Sequence, residues 1–379
     1  MGHRIVTTTT MSLDAKRARF NDDTHLTHNI PENSIDFAIV DQNDVICRAK
    51  DIIKLIFIHD NQTMHEIIPT FTHQLFENET INFISNPVNA KVEIIIQCSD
   101  LAHKIRIIGC NSSEMELLIK GLKLATPNES EYSYIAHNST ESNKDLQYRE
   151  ILNIPSGKFL YQFTNKNNEV FEIYLANSKD FGTTKILHRF EKVAMWFIET
   201  ADSVDFEDER WEVLICFQVM TTDKPNKKQY NVAGYMTLFT FNNPFLGAKI
   251  RVCQALVLPY HQGKNIGKFI LKEIYKLAKN RDTVVEVTVE DPAPGFQRLR
   301  DCVDCEWFIG YSSVINTINP PLVEAEDIAK KLKITKLQGQ FISEAFRYAS
   351  FVPHGTIFQS KKVIDNQGII IIHDIFFLF

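Results

Sequence analysis

The segment from residue 249 to 300 constrains the fold of this chain most, because strand, turn, helix and strand patterns follow one another there without interruption. Residues 250–258 form an almost unbroken apolar run that stops at Pro259, which is typical of a strand covered on both faces. An apolar stripe at helical spacing begins at Phe269. Residues 284–289 then alternate apolar and polar side chains. The segment predicts a central strand, a tight turn, a helix and a second strand.

The turn between the strand and the helix has the composition of an anion-binding site. Gly263 and Gly267 allow the backbone to fold tightly and to aim successive N–H groups at one point. The N-terminal end of the following helix attracts negative charge to the same place. A pyrophosphate group fits such a site. An ordinary strand-to-helix turn with two glycines has the same spacing, so the pattern alone leaves both interpretations open.

Two adjacent carboxylates, Glu290 and Asp291, follow the second strand directly before Pro292. The alternation places Glu290 on the face opposite the valines at positions 285, 287 and 289. Burial and a neighbouring negative charge both raise the pKa of a carboxyl group, so such a pair can provide a proton acceptor. The start of a solvated loop would contain the same two residues.

A series of short motifs, in a fixed order, extends this segment towards the N-terminus. They lie at residues 195–201, 208–211, 234–237, 251–259, 262–268, 287–292 and 299–301, with a weaker echo at 72–76. Together they resemble the GNAT acyltransferases and, within them, the type B histone acetyltransferase catalytic subunits. The resemblance is dense from about residue 190 to 301, thin before that, and nearly absent after about residue 345.

The resemblance implies a fold and an activity. The fold is α/β (α+β): a central, mixed and mostly antiparallel sheet with flanking helices, an N-terminal α/β domain and a small C-terminal helical domain. The activity is transfer of acetyl from acetyl-CoA, without a metal, to lysine amines on the N-terminal tail of free, newly made histone H-four. An acetyltransferase for another amine and a non-catalytic histone-binding module of the same fold remain as alternatives.

The resemblance also implies the catalytic residues. A lysine amine with a pKa of roughly 10.4 arrives protonated, so direct transfer in a ternary complex needs a proton acceptor. Glu290 is the first choice for the general base, and Asp291 and Glu199 complete the family's catalytic group. The position of Glu199 in the sequence is equally consistent with a helix-end carboxylate that faces water.

Cofactor and substrate positions follow from the same match. Backbone N–H groups of Ala255, Leu256 and Val257 are expected to bind the acetyl-CoA arm. Asn265 stands where the family usually has Gly, and Asn tolerates left-handed backbone angles better than most residues. Histone-tail contacts are implied for Phe239, Thr240 and Phe241, although a strand with two core phenylalanines has the same composition. The expected pyrophosphate-binding residues are Gln262, Gly263, Lys264, Asn265, Ile266, Gly267 and Lys268, whose two lysines are candidates to add positive charge.

Composition restricts the partners. The formal net charge of −6 argues against binding nucleic acid through the overall field and is compatible with a basic partner such as a histone tail. Seven cysteines without a paired spacing pattern argue against a secreted disulfide protein. One Cys-x-x-Cys pair, Cys302 and Cys305, has no second pair near it and predicts no zinc site. The resemblance implies a WD-repeat histone chaperone as partner, and residence in the cytoplasm and nucleus.

The patterns divide the chain into four parts: a disordered N-terminus (1–28), an N-terminal α/β domain (29–154), the acetyltransferase domain (155–310) and a C-terminal helical region with an apolar tail (311–379). The tail at 369–379 is too short to cross a bilayer. Residues 112–123 fit either a helix or a strand, and 128–143 predict a solvated loop. Strands are predicted at 92–97, 104–109, 211–219 and 232–241, and helices at 187–200, 322–332 and 338–350.

Overall fold

The computed structural model describes residues 38–41, 44–59, 63–83, 90–135, 155–221, 228–314 and 324–351. All of them belong to one compact unit, Phe37–Phe379. The predicted disordered N-terminus and the apolar tail lie outside the described residues, and the predicted domain boundaries remain predictions. None of the described helices is both long and apolar enough to span a membrane.

The first part of the chain forms two sheets. A five-stranded sheet has the order β4-β3-β6-β7-β8, and a small sheet joins β1, β2 and β5. In the larger sheet β3 pairs with β6 in parallel, as does β7 with β8. The elements are β1 (Ala38–Asp41), β2 (Asp44–Arg48), α1 (Ala49–Ile52), β3 (Ile53–Ile58), β4 (Met64–Ile67), β5 (Thr80–Phe83), β6 (Lys91–Gln97), β7 (His103–Ile108), α2 (Ser112–Leu122) and β8 (Glu131–Ile135).

Three predictions from the sequence fall in this part of the chain. The predicted strand pair at 92–97 and 104–109 is confirmed as β6 and β7, which pair antiparallel. Residues 112–122 are a helix because Asn111 and Glu114 form a reciprocal capping box, with N···O distances of 2.8 and 2.9 Å. The predicted loop at 128–143 is wrong at its start, because β8 lies there. Tyr132 of β8 packs against the core, while Tyr134 is exposed.

The second part of the chain is built on a six-stranded sheet of order β14-β13-β12-β11-β10-β9. All neighbours are antiparallel except β13 and β14, so the predicted mixed, mostly antiparallel sheet is confirmed. The helix predicted at 187–200 begins and ends about six residues earlier. The elements are β9 (Lys158–Thr164), β10 (Val170–Ala176), α3 (Phe181–Ala194), β11 (Trp211–Thr221), β12 (Lys228–Phe241), β13 (Ala248–Val257), α4 (Ile266–Lys279), β14 (Val284–Val289), α5 (Pro294–Val314), α6 (Ala325–Leu332) and α7 (Lys336–Phe351).

The two faces of the six-stranded sheet have different partners. One face shares a core with the five-stranded sheet and α3, in which Ile94 and Phe190 are fully buried. The other face packs against α4, α5 and the C-terminal helices α6 and α7. Strand β13 contributes to both cores: Ile250 lies on the α4 side, whereas Leu256 lies on the α3 side. A strand can change faces in this way only if its pleat is interrupted.

Candidate active site

The interruption lies in the middle of β13, at Cys253 and Gln254. On the β12 side, Leu238 pairs with Val252 and Met236 pairs with Ala255. Two residues of β13 therefore lie opposite one residue of β12, which is a β-bulge. On the β14 side, the parallel pairing ends in the same place. Its last steps are the pair Val252 and Val289 and a hydrogen bond of 2.9 Å from the Glu290 N–H to the Val252 carbonyl.

Beyond the bulge, β13 continues to Val257 with no strand partner on its β14 side among the described residues. Backbone groups of a strand point alternately to its two sides. The Leu258 N–H donates to β12, which places the Leu256 N–H on the β12 side as well. The Val257 carbonyl accepts a hydrogen bond of 3.1 Å from the Gln262 side chain on the opposite side. Of the three predicted backbone positions, Ala255 and Val257 therefore face the open edge and Leu256 does not.

The predicted pyrophosphate turn follows directly. Gly263 has φ 74° and Asn265 has φ 66°, so both are left-handed. This finding explains how Asn replaces the family's usual Gly. In the part of the chain that the structure describes, the N–H groups of residues 263–268 donate to no backbone carbonyl, and α4 begins with the bond from the Phe269 N–H to the Asn265 carbonyl. Consecutive free donors at a helix start form an anion-binding site.

Gly267 allows the turn to lie close to the next helix. A Cβ atom at this position would lie 2.9 Å from a methyl carbon of Leu299 in α5, nearer than side chains normally approach. The same Cβ would also come within 3.8 Å of a methyl carbon of Val257. The second glycine of the turn therefore sets the distance between α4, α5 and the open edge of β13.

The two lysines of the turn are held by carboxylates. Lys264 Nζ lies 2.8 Å from an oxygen of Glu169, and Lys268 pairs with Glu306, which also binds Lys272 at 2.6 Å. Lys264 is thus paired with one carboxylate, whereas Lys268 and Lys272 share a single carboxylate and together keep a net positive charge. The role of the two turn lysines at a pyrophosphate remains a prediction, and the backbone N–H groups at the start of α4 add positive potential at the same place.

Glu290 lies at the end of β14, beside the bulge. Its side chain is about half exposed, and the Arg251 guanidinium lies 3.7 Å away. The Cys253 thiol has two acceptors within reach, the Glu290 carboxylate and the Arg251 carbonyl at 3.7 Å. Burial, followed by the interaction with Glu290, raises the pKa of the Cys253 thiol to about 12. The thiol therefore stays protonated at neutral pH. Asp291, with φ 33°, turns the chain out of the strand.

Glu199 is positioned by the N-terminal part of the chain. The backbone N–H groups of Thr70 and Phe71 donate to the Trp196 carbonyl at 2.9 and 3.0 Å. The Gln74 side chain donates to the Ile198 carbonyl at 3.0 Å. These bonds fix the chain just after α3 and before Glu199. They also give the weak motif at 72–76 a structural role.

One hydrogen bond connects β13 with the segment that follows Glu199. A hydrogen bond of 2.5 Å joins the Gln254 side chain to the carbonyl of Asp202, three residues after Glu199. Glu199 itself lies 3.8 Å from His73 Nε2, with 65% of its side-chain surface exposed. The segment that follows Glu199 is thus hydrogen-bonded to β13 at the bulge beside which Glu290 lies, and the roles of the two acids remain predictions.

Phe239, Thr240 and Phe241 end β12 next to these acids. The rings of Phe239 and Phe241 lie 4.6 Å apart, and each carries a guanidinium group, Arg210 at 4.7 Å and Arg251 at 4.6 Å from the ring centroids. Phe241 is 42% exposed, so the alternative of two core phenylalanines does not hold for it. The two arginines were not predicted, and no local pattern marks them, since stacking depends on neighbouring strands. Ring faces that already hold cations can also hold a substrate cation.

Within the described ranges, no cluster of three His, Cys, Asp or Glu side chains could hold a metal ion. Cys302 and Cys305 lie on α5 and are thiols.

Known proteins resemble this chain in sequence. The family model described as the histone acetyl transferase HAT1 N-terminus matches residues 45–199. The type B catalytic subunit from Kluyveromyces lactis is 30% identical over 236 residues, covering 58% of each chain. The chain is thus similar in sequence to type B histone acetyltransferase catalytic subunits. The human subunit is 28% identical over 220 residues, 55% of this chain and 51% of the human one.

The match to these relatives is partial. The subunit from Aspergillus oryzae is 26% identical over 306 residues, covering 69% of this chain and 58% of its own length. The chain thus spans about three fifths of the first relatives it matches. Among solved structures, a ribosomal-protein-alanine N-acetyltransferase from Brucella melitensis matches 32% of this chain and 80% of its own, at 17% identity and a TM-score of 0.24. A likeness this weak supports no statement about function.

Proposed function

We propose that the protein is a type B histone acetyltransferase, which transfers acetyl from acetyl-CoA to lysine amines on the N-terminal tail of free histone H-four. One observation carries the proposal: β13 parts from β14 at a bulge, and its open edge connects a turn of free N–H donors with the carboxylate of Glu290. We infer that the extended pantetheine arm of acetyl-CoA lies along that edge, with the pyrophosphate to which it is joined at the turn. The relationship to type B subunits supports the histone as acceptor.

The backbone binds the cofactor in this proposal. The N–H groups of residues 263–268 hold the pyrophosphate, and those of Ala255 and Val257 bind the amide-containing arm. A backbone N–H at this edge also stabilises the negative charge that develops on the thioester oxygen during attack. Such donors are fixed by the sheet, so they need not reorganise when the charge appears.

Glu290 acts as the general base. It accepts the ammonium proton of the substrate lysine, directly or through a water, so that the neutral amine can attack the thioester carbonyl. The N–C bond forms, the C–S bond breaks, and coenzyme A leaves as a thiol after its sulfur takes up the second proton that the amine nitrogen loses. Glu199 and Asp291 hold the lysine or share its proton. The thiol beside Glu290 is kept protonated by burial, and a protonated thiol is a poor nucleophile. This supports direct transfer in a ternary complex over an acetylated cysteine intermediate.

The aromatic rings at the end of β12 would contact the substrate chain. A lysine has four methylene groups that favour an apolar surface, while its ammonium stays near acids. Phe241 and Glu290 offer these two environments side by side, since Arg251 already contacts both. A lysine approaching Glu290 would therefore pass over the rings of Phe239 and Phe241 as it takes the place of the guanidinium.

The test is an acetylation assay with mass detection. Purified protein and acetyl-CoA should acetylate a free histone H-four tail peptide faster than the same tail in assembled nucleosomes. A tail peptide with every lysine replaced by arginine is the control for non-enzymatic labelling. Cofactor binding without product would favour the non-catalytic histone-binding module, and a preference for a non-histone amine would favour another acetyltransferase.

We also infer a WD-repeat histone chaperone as partner and residence in the cytoplasm and nucleus, without direct binding to nucleic acid or membrane. The support is the family resemblance together with the negative net charge. Purification of the tagged protein from cytoplasmic and nuclear fractions, followed by mass spectrometry, tests both. If the tagged protein is recovered from both fractions and no WD-repeat protein accompanies it, the inference about the partner is wrong.

A further inference from the structure

Gln254 occupies the bulge of β13 and uses both ends of its side-chain amide. Its Oε1 atom accepts a hydrogen bond of 2.7 Å from the Tyr235 hydroxyl, and its Nε2 atom donates a bond of 2.5 Å to the Asp202 carbonyl. Its backbone N–H donates to Thr237 Oγ1 at 3.0 Å. Tyr235 is fully buried. The Asp202 carbonyl can only accept a hydrogen bond, so the NH₂ end of Gln254 faces Asp202 and the amide oxygen accepts from the Tyr235 hydroxyl. The two partners together hold the amide in this orientation.

The segment that Gln254 contacts is held from a second side. The Val204 N–H donates to a carboxylate oxygen of Glu191 at 2.8 Å, and Ser203 hydrogen-bonds the same carboxylate. Glu191 lies on α3 and is 5% exposed. Residues 202–204 are thus hydrogen-bonded to α3 through Glu191 and to β13 through Gln254. Among the hydrogen bonds of the residues that the structure describes, the one from Gln254 joins them to β13, the strand that carries the cofactor-facing amides.

The neighbours of Gln254 place it between two parts of the proposed site. Cys253 precedes it and contacts Glu290, and Ala255 follows it and faces the open edge. Glu199 lies three residues before the carbonyl that Gln254 holds. A shift of this segment by about 1 Å would change the separation of the two acids, and displacements of that size can cost a reaction about 10²-fold.

We propose that Gln254 is a positioning residue that joins the segment carrying Glu199 to β13 and so sets the spacing of Glu199 and Glu290 across the open edge. The inference rests on the proposed function for its kinetic consequences, whereas its structural consequence is independent of the reaction. The bulge is what makes the contact possible, because it is where β13 changes faces beside the segment 202–204.

The test compares three substitutions in the full chain. Gln254→Met keeps the length of the side chain and removes both hydrogen bonds, and Tyr235→Phe removes only the hydroxyl that donates to the amide oxygen. Gln340→Met on α7 removes an exposed hydrogen bond to Glu344 and serves as the matched control. Backbone hydrogen exchange of residues 199–206, kcat for the tail peptide and KM for acetyl-CoA are measured for each.

Gln254→Met should speed exchange of residues 199–206 and lower kcat by about 10-fold to 10²-fold, with KM for acetyl-CoA changed less than about 2-fold. Tyr235→Phe should produce a smaller change of the same kind, and Gln340→Met none. Unchanged exchange in Gln254→Met overturns the inference. A fall in kcat matched by an equal loss of cofactor binding would also overturn it, since the residue would then be merely structural. If the wild-type protein acetylates no histone peptide, the proposed function fails, and the exchange measurement still decides the role of Gln254.

Discussion

The parallel pair β3–β6 of the five-stranded sheet and the parallel pair β13–β14 of the six-stranded sheet end differently. In the five-stranded sheet, β3 and β6 pair from Ile53 to Ile58, and the Cys98 N–H extends the pairing with a bond of 2.9 Å to the Ile58 carbonyl. In the six-stranded sheet, β13 parts from β14 after Val252. The first pair uses its backbone groups for structure. The second leaves donors that can bind a ligand, so the proposed function depends on an interrupted ladder.

The physical cause of the difference lies in the strands themselves. Five consecutive residues of β6 are buried, and a strand covered on both faces gains most from complete pairing. Strand β14 stops at Val289 because Asp291 is left-handed and Pro292 has no N–H to donate. The bulge at Cys253 and Gln254 then turns β13 towards the other core. An early stop in one strand and a bulge in its neighbour together create the open edge.

Among the tests of the comparison between the two strand pairs, removal of the proposed base beside the open edge should have the largest effect. Glu290→Gln should lower kcat by about 10² to 10⁴ while acetyl-CoA binding, measured by calorimetry, stays within about 2-fold. Glu286→Gln on the same strand removes an ion pair with Lys249 and is the matched control, with kcat unchanged. A rate for Glu290→Gln equal to that of the wild-type protein across the pH range would exclude the role assigned to Glu290.

A substitution in the β3–β6 pair should change the stability of the protein and not its cofactor binding. Ile94→Ala removes a fully buried side chain from β6 and should cost about 2 to 5 kcal/mol of unfolding free energy in urea titration. Acetyl-CoA affinity, measured well below the unfolding transition, should not change, because β6 contributes to the shared core and not to the open edge. If affinity falls by more than about 10-fold while the protein is folded, the comparison between a structural and a functional pair is wrong.

The turn at the end of the open edge gives a smaller effect. Asn265→Val places a β-branched residue at a left-handed position and should cost about 1 to 2 kcal/mol of stability, with weaker acetyl-CoA binding. Asn265→Gly should bind the cofactor at least as well as the wild-type protein, because Gly adopts this conformation freely. Calorimetric titration of both variants provides the measurement. Equal binding by the Val and Gly variants would mean that the turn does not hold the pyrophosphate.

The smallest expected effect concerns the segment that adjoins the open edge. Burial raises the pKa of the Glu191 carboxyl from 4.5, the ordinary value of a glutamate, to about 7. Because the folded protein holds this proton more tightly than the unfolded chain, the contribution of Glu191 to stability is complete below about pH 4.5 and is lost as the pH rises through about 7. Glu191→Gln keeps an oxygen for the Val204 N–H and removes the ionisation.

As the pH rises from 5 to 8, the unfolding free energy of the variant relative to that of the wild-type protein should therefore increase by on the order of 1 kcal/mol. Urea titrations of both proteins at the two pH values measure this difference. Glu207→Gln, at an exposed glutamate three residues after Val204, is measured at the same pH values as the control. A constant difference between Glu191→Gln and the wild-type protein at both pH values would show that the carboxyl does not titrate in this range.

The element pattern could be predicted where periodicity is strong and failed where it is weak. The alternation in β14 and the apolar run of β13 were sufficient to identify both strands. Strand β8 was missed because polar residues surround its two tyrosines, and its stability comes from pairing with β7 rather than from its own composition. The capping box at Asn111 was visible in the sequence and would have identified α2.

The sequence by itself determined the order of the elements, the glycine-containing turn and the presence of acids at strand and helix ends, because these depend on neighbours along the chain. Only the tertiary structure decided which groups are available for chemistry. Lys264 is neutralised by a glutamate 95 residues away, and alternate amides of β13 are exposed only because β14 ends early. Hydrogen bonds and ion pairs between distant residues depend on the packing of whole elements, and no local pattern encodes that packing.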